Sequence, residues 1–134
     1  MPHLTILYTP DLESLSDMTA LCRKLADTML AQRDETGAAV FPPGGIRVLA
    51  YPAAHSAVAD GKRDYSFAYL NLRMGRGRSE WVKQQAGDAL AATARSHFGA
   101  LFEQRHLGLT LQIDEGAEVY DAKHSTIHPL FAKR

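Results

Sequence analysis

What most restricts the fold is a change of periodicity that occurs twice in the same way. Residues 3–9, HLTILYT, alternate Leu4, Ile6 and Tyr8 against His3, Thr5 and Leu7, the period-two spacing of a strand. In the stretch that follows, Leu15, Met18, Leu21, Cys22, Leu25 and Met29 recur at helical spacing, and Ser14 with Asp17 offers a cap for one continuous helix. That helix is expected to stop near Thr36 and Gly37, ahead of the turn residues FPPGG at 41–45. A second strand is expected from about Ile46, interrupted at Pro52, and the polar turn ADGKRD at 59–64 closes the segment.

The pattern then repeats. YSFAYLNLRM at 65–74 is apolar on both faces over most of its length, which predicts a central strand. MGRGRS at 74–79 is a glycine-punctuated loop, with Ser79 placed to cap a helix and Glu80 to complement its dipole. Val82, Ala86, Ala89, Leu90, Thr93, His97, Phe98 and Leu101 keep helical period, and LGLTLQIDE at 107–115 returns to strand alternation. The order β-α-β-β-α-β predicts an α+β, ferredoxin-like sandwich, a four-stranded sheet with both helices on one face. Tyr65, Phe67, Tyr69 and the apolar side of the last strand suggest that the other face meets another subunit, so an oligomer is expected. Residues 1–134 read as a single domain, with 119–134 a C-terminal tail and candidate inter-subunit arm.

Composition removes several classes of function. Lys plus Arg equals Asp plus Glu at 15 each, so the chain lacks the basic footprint of a nucleic-acid binder. A single cysteine, Cys22, cannot form an internal disulfide and suits a reducing compartment. No apolar run approaches the ~20 residues of a membrane helix, and no secretory leader is recognisable. These readings lead to the expectation of a cytoplasmic protein that handles a small molecule, with neither nucleic acid nor membrane as partner.

Three residues point to chemistry. Pro2 follows the initiator methionine, and a small second residue permits removal of Met1. Trimming would leave a secondary amine with a basic lone pair, although proline at the start of a strand is also merely harmless to the ladder. Arg78 lies just before the second helix in a loop with Arg73, Gly75, Arg76 and Gly77. Unpaired helix N–H groups and guanidinium forks there would receive a carboxylate or phosphate. GRGRS is not a phosphate-binding P-loop, because no Lys-Ser/Thr pair follows the glycines. Arg47 follows the PPGGI turn at the start of the second strand. An amine beside two guanidinium groups suits a small substrate with two or more carboxylates, and the cations would lower the amine's pKa from the α-amino value near ~8. The histidines do not form a metal-ligand pattern: His124 and His128 are four apart in a loop-like tail, without a nearby Cys or a suitably placed Glu. His97 and Cys22 read as packing residues on helix faces.

The stretches MPHL, FPPGGIR (41–47), ADGKRDYSFAYLNLRMGRGRS (59–79), QQAGDAL (84–90), HFGALFEQRHLGLTLQIDE (97–115) and IHPLF (127–131) occur in that order along nearly the whole chain. Together they resemble the 5-carboxymethyl-2-hydroxymuconate isomerases of the tautomerase superfamily. The resemblance implies a homotrimer whose sheets face its centre, and a cofactor-free ketonisation of an unsaturated 2-hydroxy di- or tricarboxylate in aromatic-compound degradation (the homoprotocatechuate pathway). It further implies Pro2 as the proton carrier and Arg47 and Arg78 as the groups that hold carboxylates and stabilise enolate charge. Arg76 departs from the family's loop pattern. Two alternatives remain compatible with the residues. One is another reaction of the same amine on an unsaturated acid, decarboxylation or hydration; the other is a non-catalytic, small-ligand-binding trimer.

Overall fold

The computed structural model describes residues 2–131. Its regular elements are β1 (His3–Tyr8), α1 (Leu12–Leu15), α2 (Met18–Leu30), β2 (Arg47–Pro52), β3 (Tyr65–Met74), α3 (Glu80–Phe98), α4 (Leu101–Gln104) and β4 (His106–Glu115). Two short 3-10 turns, Pro43–Gly45 and His128–Phe131, complete the set. The strands form one sheet in the order β2-β1-β3-β4. β1 and β2 are parallel, β3 and β4 are parallel, and the two pairs join through the antiparallel contact of β1 with β3.

This arrangement corrects the ferredoxin-like expectation. In a split βαβ fold the two halves interleave, whereas here each βαβ unit closes on itself and the units then lie side by side. Both topologies share one order of elements, so periodicity along the chain does not distinguish them. The four-stranded sheet with its two long helices on one face stands as expected.

The first helix also differs from its sequence reading. Ser16 is extended, at φ −147° and ψ 151°, and divides the expected helix into α1 and α2. Asp17 alone caps α2, its side chain accepting the Ala20 N–H at 2.9 Å, while the Ser14 hydroxyl donates to the Asp11 carbonyl. The helix stops at Leu30, several residues early. Asp34 then accepts N–H groups of Thr36 and Ala38, and Gly37 takes the positive φ that a tight turn needs, so local turn chemistry displaces the last helical turn.

Burial follows the strand alternation. Leu4, Ile6 and Tyr8 of β1 and Ala68, Leu70, Leu72 and Met74 of β3 face the helices. Leu21, Leu25 and Met29 of α2 meet them, as do Ala86, Leu90, Ala94 and Phe98 of α3. Each fully buried leucine or phenylalanine contributes about 1.5–3 kcal/mol, which makes this seam the main source of stability. Leu107, Leu109, Leu111 and Ile113 of β4 pack at its margin. The apolar side of β4 therefore belongs to the core and not to the open face, contrary to expectation.

The open face carries cross-strand rows set by register. One row is Arg47, His3, Arg73 and Asp114; the next is Leu49, Thr5, Asn71 and Gln112; the third is Tyr51, Leu7, Tyr69 and Thr110. Leu7, Leu49 and Tyr51 are each about half exposed there. At the far end of the sheet a carboxylate ties the elements together. Asp11 accepts from Arg105 at 2.6 Å, from Ser66 at 2.7 Å and from Thr9 at 2.7 Å. Burial alone would raise its pKa, but those hydrogen bonds and the Arg105 charge outweigh it and hold the carboxyl below the usual range.

Candidate active site

Pro2 is buried at the lip of the sheet, immediately before β1. Its carbonyl accepts the Arg47 N–H at 3.3 Å, so the β1–β2 ladder begins without an unpaired acceptor. Alternation puts Pro2 on the same side as Leu4, toward the helices. His3 lies opposite Arg47 on one strand and Arg73 on the other, so one step back Pro2 falls between Ile46 and Met74. The expected loss of Met1 concerns a residue outside the described ones.

Arg47 belongs to the same corner. The Pro43–Gly45 turn, closed by the Gly45 N–H on the Pro42 carbonyl at 2.9 Å, delivers the chain into β2. Nη1 of Arg47 donates back to the Gly44 carbonyl at 2.7 Å and the Ile46 carbonyl at 2.9 Å. Nη2 and Nε retain their donors. Arg47 lines a groove of about 540 Å³ together with Cys22 and Ala26 of α2, Ile46, and Ile127 and Phe131 of the C-terminal segment.

Arg78 approaches from the other half of the molecule. Ser79 accepts the Val82 N–H at 3.2 Å and fixes the start of α3, and Gly77, at φ +108°, reverses the chain just before it. The guanidinium donates to the Gly75 carbonyl at 3.1 Å and the Val40 carbonyl at 3.1 Å, and lies 5.2 Å from the centre of the buried Phe41 ring. Burial pushes its pKa down and Glu115 partly offsets this; guanidinium remains cationic at any working pH. Gly75 follows Met74, the residue level with Pro2, so this loop adjoins the Pro2 lip. Arg76 points into solvent, in contrast to half-buried Arg78.

Pro2 and Arg47 are joined through the β1–β2 ladder, and the loop of Arg78 begins beside Met74, level with Pro2; Phe41 was not singled out from the sequence, and Arg73 was named only as part of the Arg78 loop. Phe41 seats Arg78, and Arg73 adds a third guanidinium on the open face, paired with Glu118 at 3.2 Å. Burial is the first cause that holds the His3 imidazole below its ordinary value, followed by the N-terminal charge, with Arg47 and Arg73 adding smaller contributions in the same direction. Strand alternation between MPH and LRM contained the signal for Arg73, but only the β1–β3 register makes it legible. An amine at Pro2 would meet the same cations and be disfavoured as an ammonium. Such a corner can withdraw a proton from a small polyanion while its guanidinium groups hold the anionic ends.

His97 and Cys22 take packing positions. His97 shares hydrogen bonds with Ser16 at 2.9 Å and Lys24 at 3.1 Å and meets Phe98 edge-on, which joins α2 to α3. Burial raises the Cys22 thiol.

Residues 2–131 match the family model described as 5-carboxymethyl-2-hydroxymuconate isomerase. The Escherichia coli protein named 5-carboxymethyl-2-hydroxymuconate Delta-isomerase is 34% identical over 131 residues, covering 98% of this chain and 99% of its own. A crystal structure of a 5-carboxymethyl-2-hydroxymuconate delta-isomerase superposes with a TM-score of 0.95 at 57% identity, over 100% of this chain and 95% of that one. A 5-carboxymethyl-2-hydroxymuconate isomerase from Deinococcus radiodurans R1 gives a TM-score of 0.87 at 40% identity, over 98% and 95% of the two chains.

Proposed function

Because this chain belongs to the 5-carboxymethyl-2-hydroxymuconate isomerase family, we propose that Pro2 carries the proton of its reaction while Arg47 and Arg78 hold the substrate's carboxylates. The protein is an isomerase of the tautomerase superfamily, acting on an unsaturated 2-hydroxy polycarboxylate such as 5-carboxymethyl-2-hydroxymuconate in aromatic catabolism. With Met1 removed, the Pro2 nitrogen accepts the proton of the substrate's 2-hydroxyl. The O–H electrons become the second bond of a ketone, and the conjugated electrons shift along the chain of double bonds. A distant carbon then takes the proton back from the prolinium. Atoms and charge balance within one molecule, and no oxidant or reductant takes part.

Negative charge develops on oxygen and spreads along the carbon skeleton during the transfer. Guanidinium groups already in place stabilise it without reorganising solvent. What supports this reading is that Pro2 opens β1 with its carbonyl on the Arg47 N–H, and that Arg47 and Arg78 are each braced on backbone carbonyls near that end of the sheet. The same cations keep the amine neutral at a pH below the α-amino reference of ~8.

The test compares three proteins on the same dienol substrate: Met1-free chain, Pro2→Ala, and a form with one residue retained ahead of Pro2. Pro2→Ala keeps an amine of altered basicity and rigidity and is expected to be slow but active. The retained form has an amide nitrogen, which cannot accept the proton, and is expected to be inactive. Equal rates for the Met1-free and retained forms would overturn the proline role.

The assembly we propose is a homotrimer with the sheets turned inward. It is supported by the half-exposed Leu7, Leu49 and Tyr51, an apolar patch that a lone subunit would leave in water.

A further inference from the structure

The turn that launches β2 is unusual in being covered. Gly44 and Gly45 are buried although they lie in a Pro-Pro-Gly-Gly turn at the edge of the sheet. What covers them is the C-terminal 3-10 turn His128–Phe131. A Cβ built on Gly44 would stand 2.7 Å from the Cα of His128 and 3.2 Å from its backbone nitrogen, a distance no real side chain tolerates. The covering segment has its own local order: Ser125 Oγ accepts the N–H groups of Ile127 at 3.0 Å and His128 at 3.3 Å, and Leu130 N–H closes on the Ile127 carbonyl at 3.0 Å. Ile127 and Phe131 then reach into the groove that Arg47 lines.

The carbonyl of Gly44 is also the shortest brace of the Arg47 guanidinium, at 2.7 Å. One glycine therefore touches the C-terminal segment with its Cα side and the arginine with its oxygen. We propose that the His128–Phe131 turn is a positioning element for Arg47. By seating on Gly44 it fixes the carbonyl against which the guanidinium is aimed, and by Ile127 and Phe131 it walls the groove that Arg47 lines. The inference rests on the reading of Arg47 as a carboxylate holder. It makes the far end of the chain part of how the substrate is gripped.

Gly44→Ala is the direct probe. Gly44 has no positive φ, so alanine is conformationally acceptable there and acts only by pushing the C-terminal turn away. Steady-state kinetics would be measured for wild type, Gly44→Ala, Arg47→Ala and the double variant. The expected result is a fall in kcat/KM on the order of tenfold for Gly44→Ala, mostly through KM, as one charge-assisted contact is misaimed. In the Arg47→Ala background the same substitution is expected to change kcat/KM by less than about twofold, because there is no guanidinium left to aim. The pair Ile127→Ala/Phe131→Ala, which loosens the C-terminal segment without touching the Pro43–Gly45 turn, repeats the cycle should Gly44→Ala fold poorly. Equal losses in both backgrounds would mark general damage and overturn the inference, as would normal kinetics of Gly44→Ala beside an impaired Arg47→Ala. An unimpaired Arg47→Ala would instead remove the carboxylate role of Arg47, and the inference with it.

Discussion

Replacing Arg78 with alanine separates the structural task of its guanidinium from the one proposed for it on the substrate. The first is structural. Arg78 bridges the Val40 and Gly75 carbonyls at 3.1 Å each and covers Phe41 at 5.2 Å, tying the segment before β2 to the loop before α3. Hydrogen bonds from a charged donor contribute about 1.5–3 kcal/mol when well buried; at this length and half exposure about 1 kcal/mol each is appropriate. The ring contact adds about 0.5–1 kcal/mol. A loss of about 2–3 kcal/mol corresponds to a fall in Tm of roughly 10 °C for a domain of this size. The second task is the proposed hold on a substrate carboxylate. One N–H each of Nη1 and Nη2 is spent on carbonyls, leaving three of five donors for a substrate carboxylate. Losing that contact at about 1.5–3 kcal/mol lowers kcat/KM about 10- to 150-fold. Arg76, two residues away and exposed, supplies the control, with an expected change below about fivefold and no shift in Tm. Arg78→Lys keeps the charge but not the fork, and should fall between the two in kcat/KM. The assay is loss of the conjugated dienol's ultraviolet absorbance, alongside thermal melts. An Arg78→Ala protein that melts early yet turns over as fast as Arg76→Ala would show that this arginine only staples loops.

Light scattering of the purified protein is expected to give three copies of the 14.7 kDa chain, and a stable monomer would refute the assembly. Leu49→Asp together with Tyr51→Asp, which charge the half-exposed patch, should shift the mass toward the monomer; an unchanged trimer would place the contact elsewhere. The Asp11 carboxyl has its folded pKa depressed, so the stability it provides is fully present above the unfolded value of ~3.9 and is lost as pH falls through the lower folded value. Asp11→Asn should therefore lower Tm at neutral pH and narrow its gap to wild type below about pH 4; a gap that is constant with pH would mean the charge is not what stabilises.

Local chemistry was the legible part of the sequence. Ser79 as a cap, the alternation of β1 and β4, and the helical stripe through Val82, Ala86, Leu90 and Phe98 all depend on neighbours within a few residues, and all are found. At Ser16 the chain turns extended and Asp17 caps a fresh helix, a local event that the apolar spacing running through it does not register. Strand order was hidden for a different reason. Neither register nor adjacency is written into the alternation of a single strand, so interleaved and side-by-side βαβ units read alike. Of the candidate site, Pro2, Arg47 and Arg78 could be singled out because each stands at or just before an element's start, while their proposed roles came from the family resemblance. The placing of Arg73 opposite His3 and the contact of His128 with Gly44 could not be read, since each joins residues far apart in sequence: 3 to 73, and 44 to 128.

β1 comes first along the chain yet occupies the interior of the sheet, between β2 and β3. During synthesis it has no partner until Arg47–Pro52 has been made, and its second flank stays open until Met74 follows. At about 5–20 residues per second the ribosome needs some 4–15 s to reach that point. Throughout this interval Pro2 has neither of its eventual strand neighbours. On the proposed proline role, trimming of Met1 would therefore belong to the nascent polypeptide, before the corner closes around residue 2. A fusion partner placed ahead of that residue would add bulk at the buried start of a central strand, besides blocking the proposed amine.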